Sequence, residues 1–143
     1  MKVKEALDKV AKNMKRWQKI EKAAVSQTAK IMEKSDHPLI QMVAEIIHND
    51  SQLHYRVQKL IADSIEVKAV NVDYRQLGKV WKDVEDHIKL EKKTIALAKQ
   101  SLKALGGTKN PIQIYFLEYL QADEEKHDKL LENLNAIKKK MYP

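Results

Sequence analysis

The chain has 143 residues with a formal net charge of +7, 43% hydrophobic residues and no cysteine. That length allows one domain with a core of its own. The missing thiols exclude disulfides, thiolate zinc sites, iron–sulfur clusters and a cysteine nucleophile. Of the 27 basic residues only Arg16, Arg56 and Arg75 are arginine, and the lysines are spread among 20 acids apart from a short run at Lys138, Lys139 and Lys140. This reads as a solvated surface rather than a nucleic-acid interface. No apolar run is long enough to span a membrane, and the first residues lack the apolar core of a signal peptide. The expectation is a soluble cytoplasmic protein.

Glycine and proline divide the chain. Ser35-Asp36-His37-Pro38 and Leu105-Gly106-Gly107-Thr108-Lys109-Asn110-Pro111 carry stop and start signals for helices. A third break falls in the valine-rich stretch 64–74, which lacks a helical period. The pattern predicts helices over 3–34, 38–63, 74–105 and 111–140. Each carries a stripe at spacings of three and four. The first runs Leu7, Val10, Met14, Trp17, Glu21, Ala24, Thr28, Ile31. The second runs Ile40, Val43, Ile47, Asp50, His54, Val57, Ile61. The third runs Trp81, Val84, Ile88, Glu91, Ile95, Ala98, Leu102, Leu105. The fourth runs Phe116, Leu120, Asp123, His127, Leu130, Leu134, Ile137. The expected fold is all-α, one four-helix bundle over residues 1–143. The two tryptophans fill its core.

The two halves repeat. Pro38, Glu45, Asp50 and His54 match Pro111, Glu118, Asp123 and His127 at an offset of 73, and Ile20-Glu21-Lys22 matches Leu90-Glu91-Lys92 at 70. The chain therefore reads as two tandem helical hairpins, 3–63 and 74–140.

Charge interrupts the stripes at one depth. Glu21 precedes Ser35, and Glu91 precedes Leu105, by the same interval of about four helical turns. Asp50 with His54 follows Pro38, and Asp123 with His127 follows Pro111, at matching intervals of about three to four and a half turns. At ~1.5 Å of rise per residue these groups share a level roughly 20 Å from the bundle end. Together with Glu124 they place five carboxylates and two imidazoles in one layer, with no lysine or arginine on the seam. An uncompensated buried ion costs several kcal/mol, and two divalent cations would balance most of this charge while using the imidazoles as ligands. Hydrogen-bonded Asp50–His54 and Asp123–His127 pairs without metal are the alternative.

Glu124-Glu125-Lys126-His127 has the Glu-x-x-His spacing, and Asp123-Glu124-x-Lys126-His127 resembles the Asp/Glu-Glu-x-Arg-His run of the ferritin-like superfamily. With Glu21 on the first helix and Glu91 on the third, the chain resembles the rubrerythrin-like di-iron carboxylate proteins over nearly its whole length. The resemblance implies Glu91 as a terminal ligand, Glu124 as a bridging ligand and His127 as an imidazole ligand. Asp123 would orient an imidazole, and Glu21 and His54 would hold a second metal. The metal would be iron or manganese, with chemistry toward oxygen or peroxide and electrons from an external donor. The family's second-helix Glu-x-x-His is Ser51-Gln52-Leu53-His54 here. Asp50 is the available substitute for the missing glutamate. One metal, an unequal pair, or a metal-free scaffold with a decayed site remain open. Glu45-Ile46-Ile47-His48 lies off the seam, and His87 is either an extra ligand or a surface residue. Apolar flanks at Leu53, Leu117 and Leu131 suggest a homodimer. In ferritin-like bundles the link between the second and third helices crosses the bundle's length. For 64–74 an extended strap, a short up-down-up-down turn and exchange of hairpins between chains are all open.

Overall fold

The computed structural model describes residues 2–71 and 73–141, and the side chains of all of these but Tyr74, Lys140 and Met141. The chain is all-helical. The helices are α1 (Val3–Lys34), α2 (Pro38–Glu66), α3 (Tyr74–Ala104) and α4 (Pro111–Met141), and no strand occurs among the described residues. The helices pack as two compact units, Met1–Val70 and Asn71–Pro143, each a helical hairpin.

The boundaries follow local chemistry. α1 ends at Ser35, whose N–H still donates to Ile31 O. His37 then caps α2, its Nδ1 accepting from Leu39 N at 3.2 Å, with Pro38 fixing the first helical residue. Asp73 caps α3 by accepting from Arg75 N at 2.8 Å. The α3–α4 turn closes through Thr108 N to Leu105 O at 3.0 Å, and Gly107 takes φ +76°. That left-handed conformation is the one a helix end asks of glycine.

α2 runs past the predicted end at 63, as far as Glu66. Ser64 Oγ donates to Ile61 O, and the N–H groups of Val67 and Lys68 both bond Asp63 O. The remaining link, 67–73, reaches at most about 25 Å extended. α2 has 29 residues, about 44 Å of helix.

In α3 the residues turned inward are the predicted ones, from Trp81 through Leu105. α4 keeps Phe116, Asp123, His127 and Leu134 of the expected stripe half-buried, adds Ile114, Leu117, Gln121, Glu124, Asp128 and Leu131 beside them, and leaves Leu120, Leu130 and Ile137 exposed. In α2 the inward row is displaced by one position. It faces α1 through Gln41, Ala44, His48, Ser51, Tyr55, Gln58 and Ala62, and leaves Ile40, Ile47, Val57 and Ile61 exposed beside that row. Small side chains explain the choice. Ala11, Ala44, Ser51 and Ala62 are all buried, and they let the α1 and α2 backbones approach where larger residues would hold them apart.

Candidate metal centre

The site in the second hairpin is built around Glu91. Two turns of α4, carrying Asp123, Glu124 and His127, lie across from it on α3. Glu91 is buried, and Glu124 and His127 are half-buried. One ligand atom from each lies within 4.8 Å of the other two, and among the described residues these three alone form such a group. His127 Nδ1 stands 3.5 Å from Glu91 Oε1 and 4.0 Å from Glu124 Oε2. Its Nε2 stands 3.4 Å from Asp123 Oδ2. A proton on Nε2 shared with Asp123 leaves the Nδ1 lone pair facing the two carboxyls, the tautomer a metal ligand needs.

The carboxyls are themselves coupled. The hydrogen bond with Glu124 is the main reason Glu91 titrates below the usual carboxylate range, aided by His87 and His127 against the cost of burial. The same hydrogen bond, then burial, pushes Glu124 above that range, while Thr94 works in the opposite direction. Of the two, Glu124 is therefore the carboxyl that keeps its proton to higher pH. Thr94 Oγ1 donates to Glu124 Oε2 at 3.0 Å, and His87 Nε2 meets Glu91 Oε1 at 2.8 Å. Glu91 Oε2 is buried with no hydrogen-bond donor among the described residues.

The first hairpin does not assemble the same group. Glu21 is buried, but His54 Nδ1 lies 3.7 Å from Glu21 Oε1 with its side chain 57% exposed. Asp50 is half-buried and joins neither in a cluster of ligand atoms. Gln58 bonds Glu21 instead, donating from Nε2 to Oε1 at 3.3 Å. Ser51, at the repeat position of Glu124, is buried and too short to reach as a carboxylate would.

Three further points correct or extend the sequence reading. Lys126 Nζ pairs with Asp123 Oδ1 at 2.8 Å, so a lysine does compensate part of the layer. His48 is half-buried between the helices, its Nδ1 2.9 Å from Thr28 Oγ1 and 3.1 Å from Val25 O, away from Glu21. Gln58 and Thr94 escape the sequence reading. A glutamine one heptad after Ser51 and a threonine one turn after Glu91 carry no ligand spacing of their own.

No family model, no curated protein and no solved structure matches this chain. Among the described residues no helix is long and apolar enough to cross a membrane.

The donor set suits a divalent first-row cation. Two carboxylates and an imidazole are the ligands that iron(II) and manganese(II) accept. Glu91 also has a buried oxygen, Oε2, without a hydrogen-bond partner among the described residues, a deficit that a cation at this carboxylate would relieve.

Proposed function

We propose that the chain is a ferritin-like metalloprotein whose surviving centre is in the second hairpin. Glu91, Glu124 and His127 hold one iron or manganese ion, and Asp123 fixes the His127 ring. A bound iron or manganese supplies one-electron chemistry toward oxygen or peroxide. The protein's own part is to provide two carboxylate oxygens and an oriented imidazole. The observation that carries the reading is the convergence of three ligand atoms within 4.8 Å about a buried carboxylate. The centre in this reading is complete within the second hairpin, which supplies all three ligands.

The first hairpin supports a second reading. The Gln58 amide donates to Glu21 where the second hairpin would place a cation, and a buried serine stands in place of the second carboxylate. Extended to both hairpins, that gives a metal-free scaffold.

Elemental analysis after expression with added iron and manganese separates the two. Near one metal per chain, lost in Glu124→Ala and His127→Ala, is the expected result. No metal in the wild type, with both variants folded and no less stable, would leave the scaffold. Near two would return Glu21 and His54 to the ligand set, with Asp50 as the added carboxylate.

A further inference from the structure

A cavity of about 220 Å³ opens beside the metal centre, within the second hairpin. Its lining is Leu97, Ala98, Ser101, Leu117 and Leu120, and it ends on Thr94 and Glu124. Leu97 and Leu120 form an exposed rim, 61% and 46% accessible, and Ala98 is buried at the floor. Glu124 is thus shared. One side of it faces Glu91 and His127, and the other closes this cavity.

The internal repeat shows why the space exists. Ala98 and Ser101 of α3 occupy the positions of Thr28 and Ile31 of α1. In the first hairpin Thr28 is buried and locked by its hydrogen bond to His48, whose own counterpart in α4 is Gln121. The second hairpin has smaller side chains at both α3 positions. Ser101 turns its hydroxyl back to Leu97 O at 2.8 Å, so it presents little polarity to the cavity.

We propose that this cavity binds a small neutral molecule with an apolar body and one hydroxyl group, a short aliphatic alcohol or a phenol. The size fits. An apolar cavity of ~150 Å³ takes a six-membered ring, so about six to nine heavy atoms suit this one. The chemistry fits as well. Three leucines and an alanine face the body of the ligand, and the polar end alone offers the Thr94 hydroxyl and the Glu124 carboxyl. Thr94 spends its one proton on the Glu91 carbonyl or on Glu124, so this end offers acceptors, to which a ligand hydroxyl donates. No lysine or arginine lines the cavity to hold an anion. The placement beside a metal rests on the reading above. The binding itself does not.

The test is titration of the full-length protein with n-hexanol. Calorimetry is followed alongside the methyl resonances of Leu97, Leu117 and Leu120, and metal content is measured separately by dialysis. Saturable binding with shifts at those methyls is expected. It should weaken at least tenfold when the first hairpin's residues are restored by Ala98→Thr or Ser101→Ile. Ser101→Val is a milder filling variant, with helicity checked by circular dichroism. Hexanol that does not saturate, or saturates equally in the folded filled variants, overturns the proposal. Metal bound without hexanol overturns the cavity alone. Hexanol bound in a protein that takes no metal sustains the cavity and overturns the metal reading.

Discussion

Replacing Glu124 by glutamine should move stability and metal binding in opposite directions. Glutamine has the shape of a protonated glutamate, and its amide can donate to Glu91 permanently, as Gln58 donates to Glu21 in the first hairpin. Glu91, held low, contributes stability that is present above the unfolded carboxylate range and lost as pH falls through its folded value. Glu124, held high, contributes stability that is present below the unfolded range and lost as pH rises through its folded value. The metal-free wild type is therefore best served between the two, and weakens on the alkaline side as Glu124 loses its proton. Glu124→Gln removes that alkaline loss. A hydrogen bond to a buried charged group is worth ~1.5–3 kcal/mol. With a quarter of the Glu124 side chain still accessible, about 1 kcal/mol is the expected gain on the alkaline side of the raised Glu124 range, a rise of roughly 3–5 °C in Tm. On the acid side of that range the two proteins should melt nearly together. The assay is thermal unfolding across a pH series in chelator, with manganese binding by equilibrium dialysis on the same samples. Binding should drop from near one ion per chain to near none. A variant that never gains on wild type as pH rises, or one that binds manganese equally well, would refute the account.

Because a metal competes with the Glu124 proton, manganese affinity should rise with pH through the raised range of that carboxyl, with proton release on binding there. Calorimetry in buffers of different ionisation enthalpy counts it, and zero release contradicts the arrangement. Ser51→Glu should lower the Tm of the metal-free protein, because it adds an unpaired carboxylate next to buried Glu21 at a cost of about 3 kcal/mol. Added manganese should recover most of the loss and raise the bound ratio above one. An unchanged ratio would mean that the first hairpin lacks more than one ligand. Asp73→Ala removes the cap on α3 and should cost about 1 kcal/mol, seen as a lower Tm with metal content unchanged.

The helices are legible in the sequence because their ends are chemical events. Pro38, Pro111 and the Gly106-Gly107 pair mark them closely. The end of α2 is not, since Ile65 and Glu66 lie in a valine-rich context that reads as extended until Ser64 and Asp63 are seen closing one more turn. The inward row of α2 differs from the expected one by one position, and that of α4 is wider than the expected stripe. Periodicity finds the largest apolar stripe, whereas α1 and α2 meet through small residues such as Ala44 and Ser51. Glu91, Glu124 and His127 can be read from depth and spacing alone, because two straight helices leaving one turn bring equal rises opposite each other. Gln58 cannot. An amide at a seam position has no spacing rule, and only its 3.3 Å contact with Glu21 reveals that it stands in for an absent partner.

The turn between α3 and α4 also sets what changes the site can survive. Glu91 precedes Leu105, and Glu124 follows Pro111, by nearly equal stretches of helix, about four turns on each arm. A residue inserted within either arm would rotate everything beyond it by about 100°, sweeping the ligands off their shared face without altering any of them. The turn is longer than its counterpart before Pro38, as the offsets of 70 and 73 on its two sides record, and the hairpin with the longer turn is the one whose ligands meet. Each arm tolerates substitution but not insertion, and the centre depends on counting along two ruled edges that start from one joint.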